Sequence, residues 1–89
     1  MIDIKSMVEN ESVEDVVLFL APRLDYSRID SWFVRYKFDV IANGLLIRTF
    51  KKLLNGEKFY KDETGKIFKG RNWEAPQFVV DKKYGITQR

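Results

Sequence analysis

The chain has 89 residues, the length of one domain, with 45% hydrophobic and 15% aromatic residues and few Gly or Pro, a globular composition and not a disordered one. It contains neither cysteine nor histidine, which excludes a disulfide framework, a thiolate metal site and any nucleophile paired with histidine. The net charge of +3 is unevenly placed: residues 1–34 carry three Lys and Arg against seven Asp and Glu, a net of −4, and residues 35–89 carry thirteen against six, a net of +7.

A chain this short buries only about 60–65% of its unfolded surface, and seven Phe, four Tyr and two Trp supply large buried areas suited to a small core. The loss of histidine removes the commonest general base and metal ligand, so the expectation is a protein that is not an enzyme and takes no cofactor and no metal. The start MIDIKSMVENE has no basic segment followed by an apolar one, and the longest apolar run, Val16 to Ala21, is far too short to span a membrane. No membrane partner is expected, and the cytoplasm is the expected compartment. One domain over 1–89, with frayed ends at 1–10 and 82–89, is the simplest organisation.

Ser12 and Asp15 have capping-box spacing, and Val13, Val16, Val17, Leu20 and Leu24 follow on one helical face; Pro22 predicts an end near Ala21. Ser27 with Asp30 marks a second start. Ile29, Trp32, Phe33, Tyr36 and Val40 then predict a helix over about 28–37, with its aromatic stripe in the core. Asn43-Gly44 breaks the chain, Asn43 offering a cap. Leu45, Leu46, Thr49, Phe50, Leu53 and Leu54 predict a third helix, closed at Asn55-Gly56 by a left-handed glycine. Its opposite face carries Arg48, Lys51, Lys52 and Asn55, three and four residues apart on one stripe.

Beyond Gly56 the period shortens. Lys58–Lys61 and Lys66–Lys69, joined through Gly65, predict a hairpin. The simplest register sets Lys61 against Lys66 and Lys58 against Lys69, a repulsion that a bound anion would relieve. Asp62 and Glu63 stand at its tip, where turns favour Asp for backbone reasons. A loop follows, and Trp73 before Pro76 is read as packing over the core edge. Gln77-Phe78-Val79-Val80 is read as a short strand. No glycine-rich phosphate loop is present. The predicted fold is α+β: three helices, a β-hairpin and a short C-terminal strand.

This order, with the helix LLIRTFKKLLNG and the wing-like EKFYKDETGKIFKG, resembles the winged helix-turn-helix superfamily over roughly residues 12–80. The match lies in layout. The connection from Phe38 to Asn43 is unusually apolar for that family, and no strand precedes the helices. The resemblance implies a third helix in the major groove of double-stranded DNA and a wing on phosphate, as in a small transcription regulator of bacterial or phage type. The side chains suit that role, since Arg pairs with guanine, Asn with adenine, and Lys neutralises phosphate. The expected contacts are Arg48, Lys51, Lys52, Asn55, Lys58, Lys61, Lys66, Lys69 and Arg71. Two alternatives stand beside it. One is a protein-interaction module that binds an acidic partner surface or self-associates head to tail. The other is a single-stranded nucleic-acid binder that stacks bases on Tyr60, Phe68 and Trp73.

Overall fold

Capping side chains set the helix boundaries in the computed structural model, which describes residues 2–86. The described residues form six helices and one two-stranded antiparallel sheet, an α+β fold. Helix α1 (Ile4–Asn10) starts at Asp3, whose carboxylate accepts from the Ser6 backbone N–H at 3.1 Å and the Ser6 hydroxyl at 2.8 Å. Those hydrogen bonds hold the Asp3 carboxyl below its usual range. Met7 and Val8 are fully buried, within the 1–10 stretch expected to fray. Seven residues make a marginal helix in isolation; the burial of these two side chains holds it.

Helix α2 (Val13–Leu20) is capped as its sequence predicts, with Ser12 Oγ accepting from Asp15 N–H at 3.2 Å. Val16 to Leu20 are all buried, because α2 packs against both α1 and α5 and has little outer face. Pro22 offers no N–H to the Leu18 carbonyl four residues back. The indole Nε1–H of Trp73 fills that place at 2.8 Å. The next carbonyl, Phe19, is met by the Arg23 guanidinium at 2.9 Å, which also lies 4.2 Å over the Phe19 ring.

Helix α3 (Tyr26–Tyr36) starts two residues before the expected place. Its cap is Asp25, which accepts from Arg28 N–H at 2.9 Å; Ser27 lies inside the first turn, its carbonyl accepting from Ser31 Oγ. Ile29 and Phe33 are buried, and Trp32 stacks on Tyr36 at 5.6 Å. Lys37, at φ −157° and ψ 57°, ends the helix. The apolar connection that follows is itself a short helix, α4 (Phe38–Ala42), which carries Val40 into the core. Asn43 closes α4 and makes no cap to the next helix. Gly44, left-handed at φ 68°, occupies that position with no side-chain bond.

Helix α5 (Leu45–Asn55) buries Leu46, Thr49, Phe50 and Leu53. Its end differs from expectation. Gly56 is right-handed at φ −84°, and Glu57 takes the left-handed place at φ 60°. Lys58 N–H reaches the Leu53 carbonyl at 2.9 Å and Glu57 N–H the Leu54 carbonyl at 3.1 Å, a Schellman closure shifted one residue along. Packing runs in a circuit, α1 on α2, α2 on α5, α5 on α4, α4 on α3 and α3 on α1, with the core inside it.

The hairpin pairs β1 (Phe59–Lys61) with β2 (Ile67–Lys69). The register is Phe59 to Lys69, Tyr60 to Phe68 and Lys61 to Ile67. The expected lysine-against-lysine pairs are therefore absent; one residue of slip sets each strand lysine against an apolar partner. Asp62 causes this by closing a wider turn. Its Oδ1 accepts from the backbone N–H of Thr64 and Lys66 and from the Thr64 hydroxyl. These bonds, led by the hydroxyl, lower its pKa.

Gly70 follows, and there a Cβ would lie 2.3 Å from the Glu57 carbonyl oxygen, so the loop closes against the end of α5 only with glycine. The segment expected as a third strand is one helical turn, α6 (Gln77–Val80), opened at Pro76 and burying Phe78 and Val79. A four-residue apolar run has no periodicity to separate the two readings. The chain then turns back to α1. Asp3 N–H donates to the Tyr84 carbonyl at 2.8 Å, Tyr84 O–H donates to the Glu11 carboxylate, and Ile86 is buried. These contacts fall within the 82–89 stretch expected to fray; residues 87–89 and Met1 lie outside the described residues.

Candidate nucleic-acid interface

The buried face of α5 determines which way its cations point. With Leu46, Thr49, Phe50 and Leu53 turned inward, Arg48, Lys51, Lys52 and Asn55 are exposed. They divide into a ridge and a flank. Arg48, Lys51 and Asn55 follow one another at three and four residues along the outer ridge, and the Arg48 guanidinium reaches back to Gly44, its Nη1 3.9 Å from where a Cβ would stand there. Lys52 lies on the flank toward α2, paired with Glu14 at 2.8 Å.

On the other flank α5, the hairpin and residues 21–26 enclose a groove of about 710 Å³. Lys51 borders it from the helix, and Lys61 and Lys66 border it from the hairpin tip. Among the described residues Asp25 is its one lining carboxylate, and that group is engaged at the α3 cap. Three expected contacts thus border one groove, Lys51, Lys61 and Lys66, and Arg48 and Asn55 continue the exposed ridge of α5 on either side of Lys51.

The other four do not join them. Lys52 and Lys58 line a second cleft together with Glu14, Asp15 and Glu74, where carboxylates offset their charge. Lys69 lies with its ammonium 4.2 Å over the Trp73 ring. Arg71 is exposed in a shallow recess with Lys58, Asn72, Trp73 and Glu74.

The aromatic platform of the single-strand reading is divided in the same way. Tyr60 and Phe68 pair across the hairpin, stacked at 5.2 Å, with Tyr60 54% exposed. Trp73 sits at the opposite face, under Lys69, which shares a face with buried Phe59, and its indole N–H is committed to Leu18. Asp62 and Glu63 build the turn, and among the described residues no three His, Cys, Asp or Glu side chains gather in a metal-binding group. None of the helices among those residues is long and apolar enough to cross a membrane.

The groove floor was missed by the sequence reading. It is formed by Leu24, Tyr26, Ile47, Phe50, Leu54 and Ile67. One signal was available in Ile47, Lys51 and Leu54, at i, i+4 and i+7: they mark a mixed seam beside the buried face. Comparisons with protein-family models, curated proteins and solved structures found no match to this chain.

Proposed function

We propose that this chain is a small, non-catalytic DNA-binding protein, winged-helix-like in its use of α5 and the hairpin, that acts in the cytoplasm as a regulator of bacterial or phage type. In this reading the outer ridge of α5 enters the major groove, which at about 12 Å wide admits one helix. Arg48 and Asn55 face base edges, the first suited to guanine and the second to adenine. Lys51, Lys61 and Lys66 neutralise phosphates along one strand, which fixes the register of the helix on the duplex. Occupancy of DNA is the whole of the activity, so no catalytic group is required.

One observation carries the proposal: Lys51, Lys61 and Lys66 come from two elements yet border one groove beside the Arg48 ridge. The slipped hairpin register contributes to it by freeing the tip lysines from one another. Lys52 and Lys58 drop to a minor role because Glu14, Asp15 and Glu74 surround them. The experiment is duplex binding by fluorescence anisotropy with charge reversals on each flank. Lys51→Glu and Lys66→Glu are expected to weaken binding by about tenfold each, and Lys52→Glu and Lys5→Glu by much less. Equal losses on both flanks contradict the assignment.

A reading as a protein-binding module has one observation in its favour, the apolar floor of the same groove, where Ile47 remains 52% exposed.

A further inference from the structure

We propose that the groove between α5 and the hairpin docks an acidic amphipathic helix of a protein partner. This goes beyond the DNA-binding reading and does not depend on it. The floor is aliphatic and aromatic, built from Leu24, Tyr26, Ile47, Phe50, Leu54 and Ile67, and phosphate has no favourable contact to make there. Apolar surface left open on a small protein marks a place where another apolar surface belongs.

Two features determine the occupant. The floor lies open: Ile47 keeps 52% and Tyr26 41% of its surface exposed. Small-molecule sites enclose most of their ligand, so a small ligand here would stay half in water. An amphipathic helix instead lays its apolar face on such a floor and keeps its polar face in solvent. The second feature is charge. Lys51, Lys61 and Lys66 rim the groove, Arg23 also lines it, and Asp25 is its one lining carboxylate among the described residues. The flanks of the docked helix must therefore be acidic to be accepted, and a basic helix is repelled. The seam of Ile47, Lys51 and Leu54 runs along α5, so the docked helix lies beside α5, with residues 21–26 and the hairpin tip forming the other walls.

The three rim lysines are also those assigned to phosphate, so partner and DNA exclude one another. The test keeps the two ideas apart by titrating ¹⁵N-labelled protein with synthetic peptides and no DNA. One peptide carries Leu at i, i+3, i+4 and i+7 with Glu on its flanks. A second has Lys in place of Glu, and a third is a scramble of the first. The first peptide is expected to shift the amides of Ile47, Phe50, Leu54 and Ile67, and the other two are not. Ile47→Asp and the double variant Lys51→Glu/Lys66→Glu are each expected to weaken it by about tenfold, with circular dichroism unchanged. A neutral variant, Ile47→Ser, removes the apolar contact without adding charge beside Lys51 and leaves duplex binding intact, so loss of either activity is read separately. Shifts that map elsewhere, equal binding of the scramble, or no shifts at millimolar peptide overturn the proposal. So does a stronger response of these amides to dodecanoate, or to raising the protein concentration alone, which would make the occupant a small amphiphile or a second copy.

Discussion

Pro22 withholds a backbone N–H from Leu18, and a tryptophan 55 residues further on supplies the missing donor. That single bond ties the loop after the hairpin to the central helix. Trp73→Phe keeps a ring in place but leaves the Leu18 carbonyl without its partner, a loss of about 1–3 kcal/mol in urea unfolding. Pro22→Ala restores a backbone donor beneath the same carbonyl, so Trp73→Phe is expected to cost less in that background, a coupling a double-mutant cycle reads directly. Tyr84 makes the matching tie at the other end. Its hydrogen bond to the Glu11 carboxylate, aided by burial, raises the phenol from its ordinary 10.0 to about 12. The folded state therefore holds this proton more tightly than the unfolded chain. The contribution to stability is complete below pH 10 and is lost as pH rises toward 12. Unfolding midpoints of the protein and of Tyr84→Phe should differ at neutral pH, and the difference should close across that alkaline window.

At the scale of elements, the sequence was legible where capping and periodicity agreed. The Ser12 cap, the α2 boundary at Ala21, the extent of α5 and the place of the hairpin follow from local side chains alone. What was not legible depended on competition between similar local choices or on distant contacts. Asp25 and Ser27 offer rival caps for α3 with the same spacing, and Asp25 prevails. The Asp62 turn shifts the hairpin by one residue, which no strand propensity encodes. Helix α1 and the 82–86 segment are held by each other, through Asp3, Glu11 and Tyr84. The candidate site was half legible: the α5 ridge follows from helical spacing, but its separation from Lys52 and Lys58 depends on where α2 places Glu14 and Asp15. The closure of α5 supplies a test at this scale. Glu57 is left-handed at φ 60°, a conformation that costs an L-residue about 1–2 kcal/mol, of which glycine's extra chain entropy returns about 0.5–1 kcal/mol. Glu57→Gly is therefore expected to raise stability modestly, seen as a higher urea midpoint with an unchanged slope.

Across the whole molecule, the acidic and basic segments of the sequence meet along α5, where Lys52 pairs with Glu14. Glu14 and Asp15 of α2 stand beside Lys52 and Lys58, and on the opposite flank Lys61 and Lys66 border the groove from either side of the turn at residues 62–65. In the proposed reading these lysines form a directed positive face, and direction is what separates a DNA-binding surface from a merely basic protein. The groove floor gives that same face a second, apolar means of recognition, so one set of lysines serves both proposals. The most direct test of the central claim is the salt dependence of duplex binding, compared between the protein, Lys51→Glu and Lys52→Glu. Log affinity is expected to fall linearly with log salt at about −0.9 per phosphate contact, with Lys51→Glu flattening the slope by about one contact and Lys52→Glu leaving it nearly unchanged. Absence of binding to any duplex at low salt, or an equal loss of slope in both variants, would contradict that claim.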